Sequence, residues 1–129
     1  MIILDTSVWI EFYRNNGKFF TPVSSLFQVR GIMGLPWIFG ELLQGAKGRT
    51  EVELIKETWS ALPKPSSIIT ENSWLIAGEE SSKQKWYAKG IGLIDAAIII
   101  AAATTSSKVW TLDKNLANIL KSKNLLFET

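Results

Sequence analysis

The sequence predicts an α/β fold in which a parallel sheet of about four to five strands is flanked by helices. Three observations carry that expectation. Short apolar runs alternate with stretches of helical periodicity along the chain. The first run, residues 1–4, is continuously apolar rather than alternating, which suits a strand covered on both faces. Residues 96–103 are apolar all round, the mark of a buried helix. With 129 residues, one domain spanning 1–129 is expected, since domains commonly run to roughly 100–150 residues.

The elements follow in order. Residues 1–4 read as a strand, and Asp5, Thr6 and Ser7 are helix-capping types. Val8, Trp9, Phe12 and Tyr13 then recur at helical spacing. Residues 22–29 read as a short helix, and 31–34 as a brief strand between glycines. Pro36 suits the first turn of a helix over 36–43, with Gly45 or Gly48 near its end. A helix over 50–61 is stopped by Pro63 and Pro65. Residues 67–69 read as a strand. Residues 70–87 read as a helix capped by Thr70, with Trp74, Ile76 and Ala77 facing inward. A buried helix runs to Ala103, then a strand over 108–112, a helix over 113–121 and a last strand over 125–127. There is no internal repeat, low-complexity tract or linker.

Composition narrows the chemistry. Hydrophobic residues make up 47% and charged residues 20%, which excludes a disordered or fibrous chain. There is no cysteine and no histidine. Disulfides, thiolate metal sites, imidazole-bound zinc and histidine acid–base catalysis are therefore excluded. The net charge of +2 tolerates a polyanionic partner without requiring one. The longest apolar stretch is broken by Asp95 and falls short of the roughly 20 residues that span a bilayer. The N-terminus MIILDTSVWI lacks a basic lead, so it does not read as a signal peptide. A soluble protein of the cytoplasm is expected.

The acids are distributed unevenly. Only three aspartates occur, each beside an apolar run: Asp5 after Ile-Ile-Leu, Asp95 after Gly-Leu-Ile, Asp113 after Val-Trp-Thr-Leu. On the expected fold Asp5 and Asp113 end strands and Asp95 opens the buried helix. Ligands of open α/β sheets bind outside the carboxyl ends of the strands. Each aspartate is also a favoured helix N-cap, which explains any one of them alone. Three caps need not converge, however, and here at least two share one sheet edge. Gathered carboxylates resist simultaneous ionisation unless a cation joins them. Mg²⁺ or Mn²⁺ prefers such oxygen ligands. Either ion lowers the pKa of bound water and neutralises phosphoryl charge, which permits phosphodiester hydrolysis without histidine. Glu41, on an apolar helix otherwise short of charge, is the candidate fourth acid. The other glutamates lie in polar surroundings and read as solvated faces.

Four segments carry a resemblance: Ile3-Leu4-Asp5-Thr6-Ser7-Val8, Glu41-Leu42-Leu43-Gln44-Gly45, Gly92-Leu93-Ile94-Asp95-Ala96 and Thr111-Leu112-Asp113-Lys114-Asn115-Leu116. In this order and spacing the chain resembles PIN-domain ribonucleases, in particular the VapC-type toxins of toxin–antitoxin pairs. The resemblance implies a PIN-like three-layer fold and a pocket of Asp5, Glu41, Asp95 and Asp113. Asp5, Asp95 and Asp113 would hold the metal, with Glu41 bound directly or through water. It also implies Mg²⁺- or Mn²⁺-dependent endonucleolytic cleavage of tRNA or rRNA, a homodimer, and neutralisation by a cognate VapB-like antitoxin. Thr6 and Thr111 match hydroxyl positions beside the family's acids, and are equally explained as cap and strand residues. Many relatives carry a further acid where this chain has Asn115. An amide oxygen is neutral, so one well-held ion is expected and a second is doubtful.

Lys83, Lys85, Trp86, Tyr87 and Lys89 interleave charge with rings and are candidate RNA contacts. A solvated helix end with core-facing rings explains them as well. Arg14, Lys18, Lys47 and Arg49 are alternative phosphate contacts. Two other functions compete: an inert PIN scaffold that binds RNA or protein without cutting, and another phosphate-handling domain. A dehalogenase-type phosphatase wants an Asp where Ser7 stands. A response-regulator receiver wants paired acids near the first strand, which this chain lacks.

Overall fold

A computed structural model describes residues 1–15 and 17–129. The chain opens with strand β1 (Ile2–Leu4), followed by helices α1 (Thr6–Tyr13), α2 (Gly17–Gln28), α3 (Pro36–Gln44), α4 (Arg49–Ala61) and α5 (Ser67–Gln84). A 3-10 turn (Tyr87–Lys89) leads to α6 (Leu93–Thr105), strand β2 (Lys108–Trp110) and α7 (Lys114–Ser122). No helix among the described residues is long and apolar enough to cross a membrane.

The expected sheet of four to five strands is not there. Among the described residues the protein is mainly helical, and β1 and β2 form a single parallel pair with Ile3 beside Val109 and Leu4 beside Trp110. Residues 31–34 and 125–127, both expected as strands, contribute one bridge each: Ile32 to Ile2 and Leu126 to Val109. The reason is local. Gly34 leads at once into Leu35 and Pro36, which start α3. On the other side the chain has turned out of α7 through Asn124, in the left-handed region at φ 58°, immediately before Leu125.

The expected strand over 67–69 is a helix start instead. The Ser66 hydroxyl accepts from the Ile69 amide at 3.3 Å and caps α5, so Thr70 is a first-turn residue, not the cap. α2 begins five residues ahead of the expected start and carries Pro22 inside it. The inward placement expected on α5 holds for Ala77 but not for Trp74 or Ile76, which are 37% and 45% exposed. Small Ser73 and Ala77 are the buried residues of α5, and they suit a close approach to alanine-rich α6. Trp74 lies edge-on to Trp37 with ring centroids 5.0 Å apart.

α6 is the central helix, burying Ala96, Ala97, Ile98, Ile99, Ala101 and Ala102 as its apolar run predicts. Beside it, Ile3, Leu4, Val109 and Trp110 of the two strands join Trp9, Ile32 and Leu116 in one core. The strand pair therefore delivers two chain segments, 106 residues apart, to one point. Removing core volume at that pair should be costly. We expect Ile3→Ala to lose about 2–5 kcal/mol, the usual range for deleting a fully buried aliphatic side chain. It would appear as a lower urea midpoint with an unchanged slope.

Candidate active site

The parallel pair sets the site, because the chain leaves both strands at the same edge. Asp5 follows β1 and is the N-cap of α1; Asp113 follows β2 by three residues and is the N-cap of α7. The Asp5 amide donates to the Trp110 carbonyl at 3.1 Å, continuing the ladder to the corner.

Asp5 is 6% exposed, and burial raises its carboxyl pKa. Four hydrogen bonds work against that rise. Oδ1 accepts from the Ser7 amide at 3.0 Å, the Val8 amide at 3.4 Å and the Ser7 hydroxyl. Oδ2 accepts from the Thr111 hydroxyl. Both hydroxyls are themselves polarised. Ser7 Oγ accepts from the Leu112 amide at 3.1 Å, and Thr111 Oγ1 from the Asp113 amide at 3.0 Å. Each hydroxyl thus relays a backbone amide of the 111–113 turn onto the Asp5 carboxylate. Thr111, expected beside the acids, thus has its hydroxyl on the Asp5 carboxylate. Ser7, a capping type in the sequence, has this further role, and its spacing two residues after an Asp is the signal for it.

Glu41 is brought in from α3. Its Oε1 accepts from the Thr6 hydroxyl at 2.8 Å, which ties α3 to the residue next to Asp5. Asp113 is exposed, with Oδ1 accepting from the Leu116 amide at 3.0 Å. Asn115 is exposed and packs over Gly90, where an added Cβ would stand 2.5 Å from its Nδ2.

Asp95 differs from the other aspartates. It is not a cap: Gly92 occupies that position, and Asp95 lies within the first turn of α6, where the helix dipole favours an anion. Its pKa is pushed up to about 6, first by burial, then by the negative charges of Asp113, Asp5 and Glu41. All four influences act in one direction. No hydrogen bond or positive charge among the described residues offsets them. The other three acids singled out in the sequence are therefore within electrostatic reach of Asp95. They do not close on one point. Among the described residues no three acids stand in an arrangement that could hold one ion, and Asp5, Glu41 and Asp113 each accept from donors of their own.

The expected RNA contacts fare unevenly. Trp86 is 2% exposed and belongs to the core, with Lys123 Nζ 5.7 Å from its ring centroid, so it offers no face to a base. Its carbonyl accepts from the Lys89 amide at 2.9 Å and the Ile91 amide at 3.0 Å, which fixes the residue in the turn after α5 with its ring inward. Tyr87 beside it is largely exposed. Lys83 pairs with Glu80 at 3.6 Å, Lys85 ends α5 in the left-handed region, and Lys89 lies in the 3-10 turn. Arg14 and Lys47 line a cleft of about 360 Å³ between α1, α3 and α4, whose wall also includes Thr6 and Glu41. Arg49 lies outside it among Thr50, Glu53 and Glu57, and Lys18 Nζ stands 5.9 Å from the Phe19 ring centroid.

No protein-family model matches the chain, and no curated protein matches its sequence. The class of site is thus defined by its own residues: an acidic, oxygen-only cluster at the shared edge of two parallel strands.

The shift at Asp95 fixes a pH dependence. A carboxyl raised in the folded state contributes no penalty while it is protonated, and destabilises the fold as pH rises from about 4 through about 6. We expect Asp95→Asn to match the native protein near pH 4. At pH 8 it should be more stable by on the order of 1–2 kcal/mol, taking about 1.4 kcal/mol per pKa unit and discounting for partial exposure. Urea midpoints at the two pH values measure this.

Proposed function

We propose that the protein is a Mg²⁺- or Mn²⁺-dependent RNA endonuclease that hydrolyses phosphodiester bonds. In this reading it is a VapC-type toxin that acts in the cytoplasm on tRNA or rRNA and is neutralised by a VapB-like antitoxin. The observation that carries the proposal is the uncompensated, partly buried carboxylate of Asp95, which feels the charges of Asp113, Asp5 and Glu41. Buried groups with shifted pKa values and like-charged neighbours cluster at functional sites. Such a cluster becomes favourable when a hard cation takes its oxygens.

The resemblance assigns the ion to Asp5, Asp95 and Asp113, with Glu41 joining directly or through water; in the free structure these side chains do not stand around one point, so holding an ion requires them to turn toward it. When bound, the ion supplies positive charge against the phosphate and acidifies water. The remaining work falls to the chain. The Ser7 and Thr111 hydroxyls hold Asp5 in one orientation, so its oxygens do not swing with each turnover. Thr6 does the same for Glu41. Arg14 and Lys47 supply charge for phosphates flanking the cut. Asn115, packed on Gly90, adds no negative charge, consistent with one well-held ion. Exposed apolar side chains at Ile68, Leu75 and Leu93 are surface a homodimer would use.

A second reading is an inert module that binds RNA or protein without cutting. It is favoured by one observation: Asp5, Glu41 and Asp113 are already satisfied by their own hydrogen-bond donors. The two readings separate with cellular RNA and Mn²⁺. The endonuclease should produce discrete fragments, and Asp95→Asn should cut at least about 100-fold more slowly, as expected on losing a charged group that acts in the transition state. Mn²⁺ should also raise the melting temperature of the native protein and leave that of Asp95→Asn unchanged. Undiminished cutting by Asp95→Asn would falsify the catalytic assignment. RNA binding without products, at any Mn²⁺ concentration, would establish the inert module.

A further inference from the structure

Charge is unevenly shared along the chain. Residues 83–129 carry seven lysines against three acids, whereas residues 1–82 carry seven basic side chains against nine acids. The fold gathers several of those lysines, because the turn that follows α5 lies along α7 and is pinned at both ends. At one end Asn115 covers Gly90, where a Cβ would stand 2.5 Å from its Nδ2. At the other, Lys123 Nζ stands 5.7 Å from the Trp86 ring centroid. Asn115, Ile119 and Lys123 are spaced i, i+4 and i+8, so one stripe of α7 faces the turn. Beside that stripe Lys114, Asn118 and Lys121, at i, i+4 and i+7, share an exposed face. Lys85 and Lys89 are exposed on the turn itself. Among the described residues none of Lys85, Lys89, Lys114 and Lys121 forms an ion pair.

The same turn displays a ring. Tyr87 is 85% exposed, the most exposed large hydrophobic side chain among the described residues. Its backbone, by contrast, is fixed. The Trp86 carbonyl holds the Lys89 and Ile91 amides, and the Tyr87 carbonyl accepts from the Gly90 amide at 3.1 Å. A ring left in water forgoes the stabilisation that burial would give it. A rigid turn that holds one out between two lysines suits a partner with flat faces and negative charge. Both halves of this surface also lead to the acids. Gly90 is two residues from the Gly92 cap of the helix that carries Asp95, and Lys114 follows Asp113 directly.

We infer that the 85–89 turn and the exposed face of α7 form a track along which single-stranded RNA is led to the acids. The inference rests on the endonuclease reading for what happens where the track ends. Tyr87 stacks on one unpaired base, and Lys85, Lys89, Lys114 and Lys121 meet the phosphates on either side. Aromatic platforms in a basic groove are the general mode of single-strand binding. A duplex keeps its base faces stacked, so the ring selects unpaired strand. An acidic protein would match the lysines but give the ring no flat partner. Trp86 and Lys83, which the sequence offers for the same task, take no part: one is core and the other pairs with Glu80.

The test needs no metal and no cleavage. A short fluorescein-labelled RNA without secondary structure is titrated with the native protein in the presence of a chelator, and anisotropy is read at several salt concentrations. Tyr87→Ala should weaken binding at least about 5-fold, as on losing one stacked base, and Tyr87→Trp should restore it. Lys89→Gln and Lys114→Gln should each lower the slope of log affinity against log salt by about 0.7, one phosphate contact fewer. Lys56→Gln, at an exposed position on α4, should leave that slope unchanged. A duplex of the same sequence should bind equally to the native protein and to Tyr87→Ala. Unchanged single-strand binding by Tyr87→Ala, unchanged slopes in both track variants, or a slope lowered as much by Lys56→Gln overturns the inference. So does a polyglutamate peptide that binds as tightly as the RNA. The two readings fail separately. If RNA is held on this surface and the native protein cuts none of it in Mn²⁺, the endonuclease reading fails and the track stands. If the native protein cuts and Tyr87→Ala cuts with an unchanged KM, the track fails and the endonuclease reading stands.

Discussion

Burying the Asp5 carboxylate is the constraint on which the site's geometry depends. A carboxylate out of water costs several kcal/mol unless hydrogen bonds replace its hydration. Here the replacements come from both ends of the chain. Ser7 and Val8 belong to the helix that Asp5 caps, while Thr111 lies 106 residues away at the end of β2. The Leu112 and Asp113 amides in turn support the two hydroxyls. If β2 shifted by one residue, Thr111 would point to the other face of the strand, and Asp5 would keep its burial but lose a donor. The register of β1 on β2, the start of α1 and the start of α7 are thereby fixed together. Thr6, and through it Glu41, is carried along.

Asp95 shows what the same chemistry does without compensation. Both it and Asp5 are desolvated aspartates, but hydrogen bonds offset the shift at Asp5, whereas three other carboxylates add to it at Asp95. A fold selected for stability alone would have little reason to keep an acid there. The first-turn position on α6 recovers only a few tenths to about 1 kcal/mol from the helix dipole. Local cost of this kind is usual where a protein must bind charge, since the group that destabilises the free protein is the one a ligand rewards.

Most helices, and the capping positions of Asp5 and Asp113, were legible in the sequence; the sheet was not. Caps are local, so Asp5, Asp113 and the Pro36 start of α3 could be read from a few neighbours. The all-apolar run of α6 admits one interpretation, and it is the most buried helix. Strand formation is different, because a three-residue apolar run becomes a strand only if a partner supplies a ladder. Ile2–Leu4 and Lys108–Trp110 found each other; residues 31–34 and 125–127 found one bridge each. Residues 67–69 had no partner and a serine cap ahead of them. Side-chain direction was equally hidden. Trp86 reads the same in sequence whether it covers a core or awaits a base, and Trp74 looked inward until small Ser73 and Ala77 proved to be the buried face.

The loss of the wide sheet does not weaken the argument for the acids, and the reason is geometric. Convergence at one edge requires only that two strands run parallel and that the chain leave both at the same end. β1 and β2 meet that condition with three residues each, Leu4 standing beside Trp110, so Asp5 and the 111–113 turn emerge together. Additional strands would have widened the platform without bringing further acids to it. The remaining two acids arrive on helices, Glu41 on α3 and Asp95 on α6, and helices reach the edge from the side rather than through the sheet. That mixed origin explains the uneven satisfaction of the cluster. The acids at helix caps inherit amide donors from their helices, Glu41 borrows a hydroxyl from α1, and Asp95, in the first turn of α6 but not at its cap, inherits none.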